Sequence, residues 1–292
     1  MSSEQVIYID GKFYPKGEAK ISVYDHGLLY GDGVFEGIRC YNGNVFRLKQ
    51  HIDRLYDSAK GINLKIRASK EEMAKTVLKS LRKNGLKDAY VRLIVTRGVG
   101  DLGLDPNKCP NPTVICIAQQ FAPLYGDLYD KGIKIVTVGT RRIAWDALDV
   151  KAKTLNYLNN IMGKIQANLA GCDEALMLNT TGHVCEGTGD NFFIVKDSEL
   201  STPPTGAGVL VGITRGAIME LAKKVRIKVS EKNLTLFDVY TADEAFMTGT
   251  AAEVIPIIEA DARRIGDGKP GAMTKKLMAE FKKIREKDGS KV

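Results

Sequence analysis

The sequence is poor in the features that mark export, membrane insertion and metal binding. No apolar run approaches the ~20 residues that a bilayer-spanning helix needs; runs such as residues 114–118 and 209–211 are far shorter. The opening MSSEQVIYIDGK lacks a basic stretch followed by an apolar core, so a soluble, cytoplasmic chain is expected. Five cysteines (Cys40, Cys109, Cys116, Cys172, Cys185) form no CxxC pair, and the three histidines (His26, His51, His183) lie far apart. That spacing argues against a disulfide framework and against a zinc site, and no metal is expected. Aromatic residues are few, 7% of the chain, and none stud a basic strand. The net charge of +8 comes from lysines spread among acids, as in SKEEMAKTVLKSLRKNG, which read as solvated faces of amphipathic helices. Neither a nucleic-acid nor a membrane partner is expected. There is no internal repeat and no regular strand–helix alternation, so a doubly wound parallel sheet is not indicated. Gly98-Val-Gly100-Asp-Leu-Gly103 matches the GxGxxG dinucleotide pattern, but that motif needs a helix directly after it. Pro106, Pro110 and Pro112 deny one, leaving a long irregular loop.

What is present suffices for two buried cores: 292 residues, 44% hydrophobic and 27% charged. Strand-like runs VIYIDGKFY, AKISVYDHG and VFEGIRCYNGNVFRL open the chain, with Asn42-Gly43 as a hairpin turn. Helices LKQHIDRLYDSA and SKEEMAKTVLKSLRKNG follow, the second behind a Ser69 cap, then strands AYVRLIVTR and TVICIAQQF. After the irregular APLYGDLYDKG come strand IKIVTVGTRR and helix NYLNNIMGKIQANLA, in which Leu158, Ile161, Met162, Ile165 and Leu169 make one apolar stripe. Strands EALMLN, HVCEG and NFFIVKD, helix TRGAIMELAKKV, a short helix near LFDVYTA, strands EAFMTG and EVIPIIEA, and helix AMTKKLMAEFKKIREK complete the pattern. The prediction is a mixed α/β (α+β) chain: a small N-terminal α/β domain over 1–121, a connection over 122–132 and a large C-terminal domain over 133–292.

Two segments have the shape of an anion site. Gly212-Ile213-Thr214-Arg215 opens an amphipathic helix, where backbone N–H groups and the helix dipole favour phosphate. Thr248-Gly249-Thr250-Ala251-Ala252 ends a strand in small residues that let a ligand approach the backbone. Each also reads as an ordinary cap or tight turn. Arg54 stands roughly 120° around its helix from Leu48, at the edge of the buried stripe, and reads either as a surface arginine or as a phosphate ligand.

Together with Tyr30-Gly31-Asp32-Gly33-Val34-Phe35-Glu36-Gly37-Ile38-Arg39, His51-x-x-Arg54-Leu55, Lys153-Thr154-Leu155-Asn156-Tyr157, Glu186-Gly187-x-Gly189-x-Asn191-Phe192 and Gly249-Thr250-Ala251-Ala252-Glu253, these segments carry a resemblance. From about Val6 to about Glu259 the chain resembles the class IV (fold type IV) aminotransferases that use pyridoxal 5′-phosphate (PLP), and within them the branched-chain amino acid aminotransferases. The resemblance implies a two-domain fold like that of D-amino acid aminotransferase, with the active site between the domains. It implies PLP attached to Lys153, a role for which the neighbouring Lys151 is the competitor. Glu186 would face the ring nitrogen, Tyr157 the phenolic oxygen, and Arg54, Ile213, Thr214 and Thr250 the phosphate. For substrate it implies Tyr90, Thr250 and Ala251 at the α-carboxylate and Phe35 and Tyr125 in the side-chain pocket. Tyr30 and Leu104 would be lent by a neighbouring subunit. Arg92, with Tyr30, would meet the distal carboxylate of glutamate, and Arg39 of the EGIR segment joins the substrate set. The implied reaction is reversible transfer of the amino group of L-leucine, isoleucine or valine to 2-oxoglutarate, in a homodimer or larger homo-oligomer. D-Amino acid aminotransferases and aminodeoxychorismate-lyase-like enzymes share the cofactor. The former tend to carry Arg-x-His in the loop that here reads Arg97-Gly98-Val99-Gly100, and to lack EGIR.

Overall fold

A computed structural model describes residues 4–292. The chain forms two compact units. The first runs through Ala122 and recruits Ala152–Asn156 and Ile284–Val292; the second comprises Pro123–Lys151 and Tyr157–Lys283. Two stretches of the expected 133–292 domain thus pack with the first unit.

The first unit contains β1 (Val6–Ile9), β2 (Lys12–Pro15), α1 (His26–Tyr30), β3 (Gly33–Tyr41), β4 (Asn44–Phe46), α2 (Leu48–Gly61), α3 (Lys70–Lys83), β5 (Ala89–Thr96) and β6 (Thr113–Gln120). Its antiparallel sheet runs β16-β4-β3-β5-β6-β1-β2, the edge strand β16 (Gly289–Lys291) arriving from the C-terminus. Alternation decides which face is which. Val34, Ile38, Val91, Leu93, Val95 and Cys116 point into a core shared with Leu48, Ile52 and Leu55 of α2 and Met73, Val77 and Leu81 of α3. The intervening Tyr90, Arg92 and Ile94 of β5 are only half-buried. The predicted strand AKISVYDHG does not form: Ile21, Val23 and Tyr24 are exposed, and the Asp25 side chain instead caps α1 by accepting from Gly27 N. Local alternation without a neighbouring strand or core to receive it does not hold a strand.

The second unit holds α4 (Leu128–Lys131), β7 (Ile133–Thr137), α5 (Leu158–Leu169), β8 (Glu174–Leu178), β9 (Val184–Glu186), β10 (Asn191–Lys196), β11 (Glu199–Thr202), α6 (Ile213–Lys224), β12 (Lys228–Glu231), α7 (Leu236–Tyr240), β13 (Glu244–Gly249), β14 (Glu253–Ala260), β15 (Arg263–Arg264) and most of α8 (Ala272–Arg285). Because β9 bonds to both β8 and β10, the strands β10-β13-β14-β7-β8-β9 close on themselves as a barrel, and β11 and β12 extend from β10. Closure removes sheet edges and fixes the short β9, which carries Glu186.

Helix α5 reverses the usual arrangement. Its buried residues are Asn160, Gly163 and Ala167, whereas Leu158, Ile161, Met162, Ile165 and Leu169 are 43% to 84% exposed. Gly163 lets the helix lie close on β8, where an added methyl group would meet Met177 Sδ at 3.2 Å. The apolar stripe read from the sequence therefore does not face the core of its own unit. Among the described residues no helix is long and apolar enough to cross a membrane.

Candidate active site

In the first unit the site is built on the face of β3 and β5 that the helices leave uncovered. The register pairs Phe35 with Ile94, Gly37 with Arg92 and Arg39 with Tyr90, which puts Phe35, Arg39, Tyr90 and Arg92 on one face. Gly37 is required there: a methyl group on it would stand 2.0 Å from the Tyr90 hydroxyl, which passes over the strand at that point. The Arg92 guanidinium lies 4.6 Å from the Phe35 ring centre and 3.5 Å from the Tyr90 hydroxyl. Arg39 is stacked over Phe121 at 3.4 Å and Tyr41 at 4.3 Å. One surface therefore offers an aromatic wall beside fixed cations.

Lys153 is delivered to this face by residues 152–156, which run along β3. Phe35 N donates to Lys153 O at 3.0 Å, Leu155 N donates to Gly33 O, and Lys153 N donates to Ser58 Oγ at 3.0 Å. The ammonium sits 4.5 Å from the Phe35 ring centre. Its competitor Lys151 is exposed and paired with Asp149 at 3.1 Å, as a solvated surface lysine would be.

On the opposite face of β3, Glu36 is wholly buried and organises α2. Arg54 grips its carboxylate with Nε and Nη2, both at 2.8 Å, and His51 Nδ1 lies 2.7 Å from Oε2. Burial pushes the Glu36 carboxyl up, but Arg54 and His51 outweigh it and hold it at about 2. His51 is driven below its usual range by burial first, against the pull of Glu36. Arg54 is therefore a held guanidinium, not a mobile surface side chain. Glu36 and His51, which hold Arg54 in place, are given no role by the sequence alone. A carboxylate in a strand whose every residue is buried needs a cation partner, and the HxxR spacing on α2 supplies one.

The second unit brings Glu186, the start of α6 and the β13–β14 turn to Asp190 and Asn191. Glu186 is 5% exposed; its Oε1 meets Arg142 Nη2 at 2.8 Å, and its Oε2 accepts from Asn191 Nδ2 at 3.0 Å and Leu210 N at 3.1 Å. Asn191 also packs against Gly212, where an added methyl group would lie 1.9 Å from Asn191 Oδ1. Gly212 is the N-cap of α6 without a side-chain cap, so the first turn, Ile213 and Thr214, presents backbone N–H groups as an anion receptor. Arg215 of the same turn is bound elsewhere, to Pro203 O and Glu231. The β13–β14 turn carrying Thr250 and Ala251 begins at Gly249, which packs against the Asp190 carboxylate. Tyr157 forms the N-cap of α5. Arg142, Asn191 and Asp190 have no role in the sequence reading. The only signal for Arg142 is its place at the end of the expected strand IKIVTVGTRR.

The remaining candidates do not join these clusters within one chain. Tyr30 is 38% exposed and donates to Leu102 O, and Leu104 is 79% exposed in the loop after β5. Tyr125 is half-buried against the core of the second unit, edge-on to Tyr129, and its hydroxyl is pushed up chiefly by burial.

The donor set fits PLP. A carboxylate fixed by a guanidinium and two N–H donors suits a protonated ring nitrogen, an uncapped helix start suits a phosphate, and a lysine over an aromatic ring suits an aldehyde. Known proteins agree. Residues 33–260 match the profile of the family described as amino-transferase class IV. A protein of Methanocaldococcus jannaschii named "Putative branched-chain-amino-acid aminotransferase" is 57% identical over 286 residues, 98% of each chain. The crystal structure of the branched-chain amino acid aminotransferase of Escherichia coli superposes with a TM-score of 0.95 at 35% identity, covering 99% of this chain and 97% of that one. The branched-chain amino acid aminotransferase of Thermobaculum terrenum, solved in its PLP-form, gives a TM-score of 0.89 at 27% identity over 99% and 96% of the two chains. From the anchored carboxylate and the lysine beside Phe35 to the matched profile, the chain belongs to the class IV aminotransferases.

Proposed function

We propose that this protein is a PLP-dependent branched-chain amino acid transaminase that moves the amino group of L-leucine, L-isoleucine or L-valine to 2-oxoglutarate, giving the branched 2-oxo acid and L-glutamate. The observation that carries the reading is the single face of β3 and β5, where the Arg92 guanidinium and the Lys153 ammonium both lie within 4.6 Å of the Phe35 ring centre. An apolar wall accepts a branched side chain, and a cation beside it accepts the distal carboxylate of glutamate, so one pocket serves both half-reactions.

PLP, when bound, supplies the aldehyde that takes up the amine and the ring that draws electrons from the substrate Cα. Lys153 would attach it and, once released, take and return the proton at the substrate Cα. Glu186 would hold the proton of the ring nitrogen, Tyr157 the phenolic oxygen, and Arg54, Ile213, Thr214 and Thr250 the phosphate. Tyr90, with Thr250 and Ala251, would orient the α-carboxylate, while Arg39, stacked on two rings, would keep Tyr90 opposite it in place. Tyr125 completes the pocket wall in this proposal.

The active form is proposed as a homodimer or larger homo-oligomer in which a neighbouring copy lends Tyr30 and Leu104. Support comes from the apolar side chains that a single chain leaves uncovered: Leu28, Tyr30, Val99, Leu102 and Leu104 in the first unit, and the α5 stripe in the second. All five cysteines are free thiols, which suits the reducing cytoplasm.

A panel of amino acids supplied with 2-oxoglutarate tests the function through the glutamate formed. Leucine, isoleucine and valine should lead the panel. Preference for D-alanine, or release of pyruvate from aminodeoxychorismate without any acceptor, would overturn the assignment.

A further inference from the structure

The buried cation beside Glu186 has no part in the reaction as described above. Arg142 is 5% exposed, and its Nη2 stands 2.8 Å from Glu186 Oε1. It is held in place by its own backbone, since Arg142 N donates to Leu178 O on β8. Its Nη1 lies 3.4 Å from Asn159 Oδ1, and Asn159 in turn donates to Arg141 O at 2.8 Å. Asn159 lies two residues beyond Tyr157 on α5. The Nε is buried without a hydrogen-bond partner among the described residues. A guanidinium buried at the cost of an unsatisfied N–H is poor construction for stability alone, because an apolar replacement of such a pair is often neutral or better.

We infer that Arg142 is a positioning residue that keeps Glu186 ionised and weakly basic, and so sets how firmly the cofactor's ring nitrogen holds its proton; this rests on the reading of Glu186 given above. The cause is electrostatic. Beside a buried cation, a carboxylate resists protonation. A ring nitrogen facing it then keeps its proton and remains an effective electron sink. Without the cation, a buried carboxylate would take the proton for itself, and the ring would lose its positive charge at neutral pH. The same guanidinium reaches toward Asn159, so it ties the acid at the ring nitrogen to the helix that begins at Tyr157.

The test compares holoenzymes of the wild type, Arg142→Gln, Arg142→Lys, Glu186→Gln and the double variant R142Q/E186Q. Four readouts serve: kcat, the absorbance of bound cofactor against pH, the Kd of PLP for the apoprotein, and thermal unfolding of each apoprotein. R142Q should lower kcat by about tenfold or more and shift the midpoint of the spectral titration. R142K, which keeps the charge, should recover most of both. The double variant should match E186Q to within about twofold, because Arg142 acts only through Glu186. Kd should weaken in R142Q, and in the double variant no further than in E186Q alone. Additive losses in the double variant, or an unmoved spectral midpoint in a folded R142Q, would overturn the inference. If R142Q does not fold, R142K decides alone: a spectral midpoint and kcat close to wild type uphold the role of charge, and losses as deep as those of E186Q overturn it. A wild-type protein that binds no PLP would instead defeat the functional reading itself, an outcome distinct from the others.

Discussion

At the residue scale, the buried cluster Glu36–His51–Arg54 makes the first unit sensitive to acid in a direction that can be worked out. Glu36 is held at about 2, below its usual 4.5, so its contribution to stability is full above 4.5 and is lost as the pH falls toward 2. His51 is likewise lowered from 6.5, so the stability from keeping it neutral is present above 6.5 and is lost as the pH falls through its folded value. Both signs agree: the thermal unfolding temperature of the apoprotein should drop as the pH is lowered from 6.5. His51→Asn should flatten the upper part of that curve, and Glu36→Gln the lower part. Removing Glu36 leaves Arg54 without its charge partner and should cost on the order of 3–5 kcal/mol. A curve for E36Q that keeps its wild-type acid limb would contradict the assignment.

Gly37 gives a second test at the same scale. Alanine there would displace the Tyr90 hydroxyl rather than backbone, so Gly37→Ala should raise KM for the amino acid several-fold, roughly 1 kcal/mol of lost binding, with the Kd of PLP unchanged. A rise in the PLP Kd with no change in KM would place Tyr90 elsewhere in the reaction. The need for glycine is invisible in the sequence, because it arises from a side chain on a different strand.

At the scale of the element, legibility follows how much of the determining information is local. Helix α3 is readable from Ser69 onward, and the structure shows a full capping box: Ser69 Oγ accepts from Glu72 N, and Glu72 accepts from Ser69 N. Ser69→Ala should cost about 1 kcal/mol in unfolding free energy measured by denaturant titration. The Asn42-Gly43 hairpin is equally local, with both residues at positive φ. The failed strand at Ile21 and Val23, and the strand β16 that completes the first sheet from the far end of the chain, depend on distant partners that no local pattern encodes. Helix α5 is legible as a helix, but which face it buries is set by Gly163 and Ala167 fitting closely against the barrel. If its outward stripe meets another copy, Ile161→Glu should shift the protein to smaller species in sedimentation while the far-ultraviolet circular dichroism stays unchanged. An unchanged sedimentation profile would place the interface elsewhere.

At the scale of the whole molecule, chemistry is distributed over segments far apart in sequence, and this limits what spacing alone can show. Lys153, Glu186, Gly212–Thr214 and Thr250 enter the proposed site because each sits in a short motif with an order along the chain. Arg142 and Glu36 gain no role from spacing because what distinguishes them is their ion pairs, Arg142 with Glu186 and Glu36 with Arg54. The claim on which everything else depends is that PLP is joined to the Nζ of Lys153. The direct measurement is borohydride reduction of the protein supplied with PLP, followed by peptide mapping by mass spectrometry. The expected result is a yellow protein that bleaches on reduction and a phosphopyridoxyl mass on the peptide position of Lys153, lost in Lys153→Ala. The label on Lys151, or no label on any lysine at saturating PLP, would contradict it.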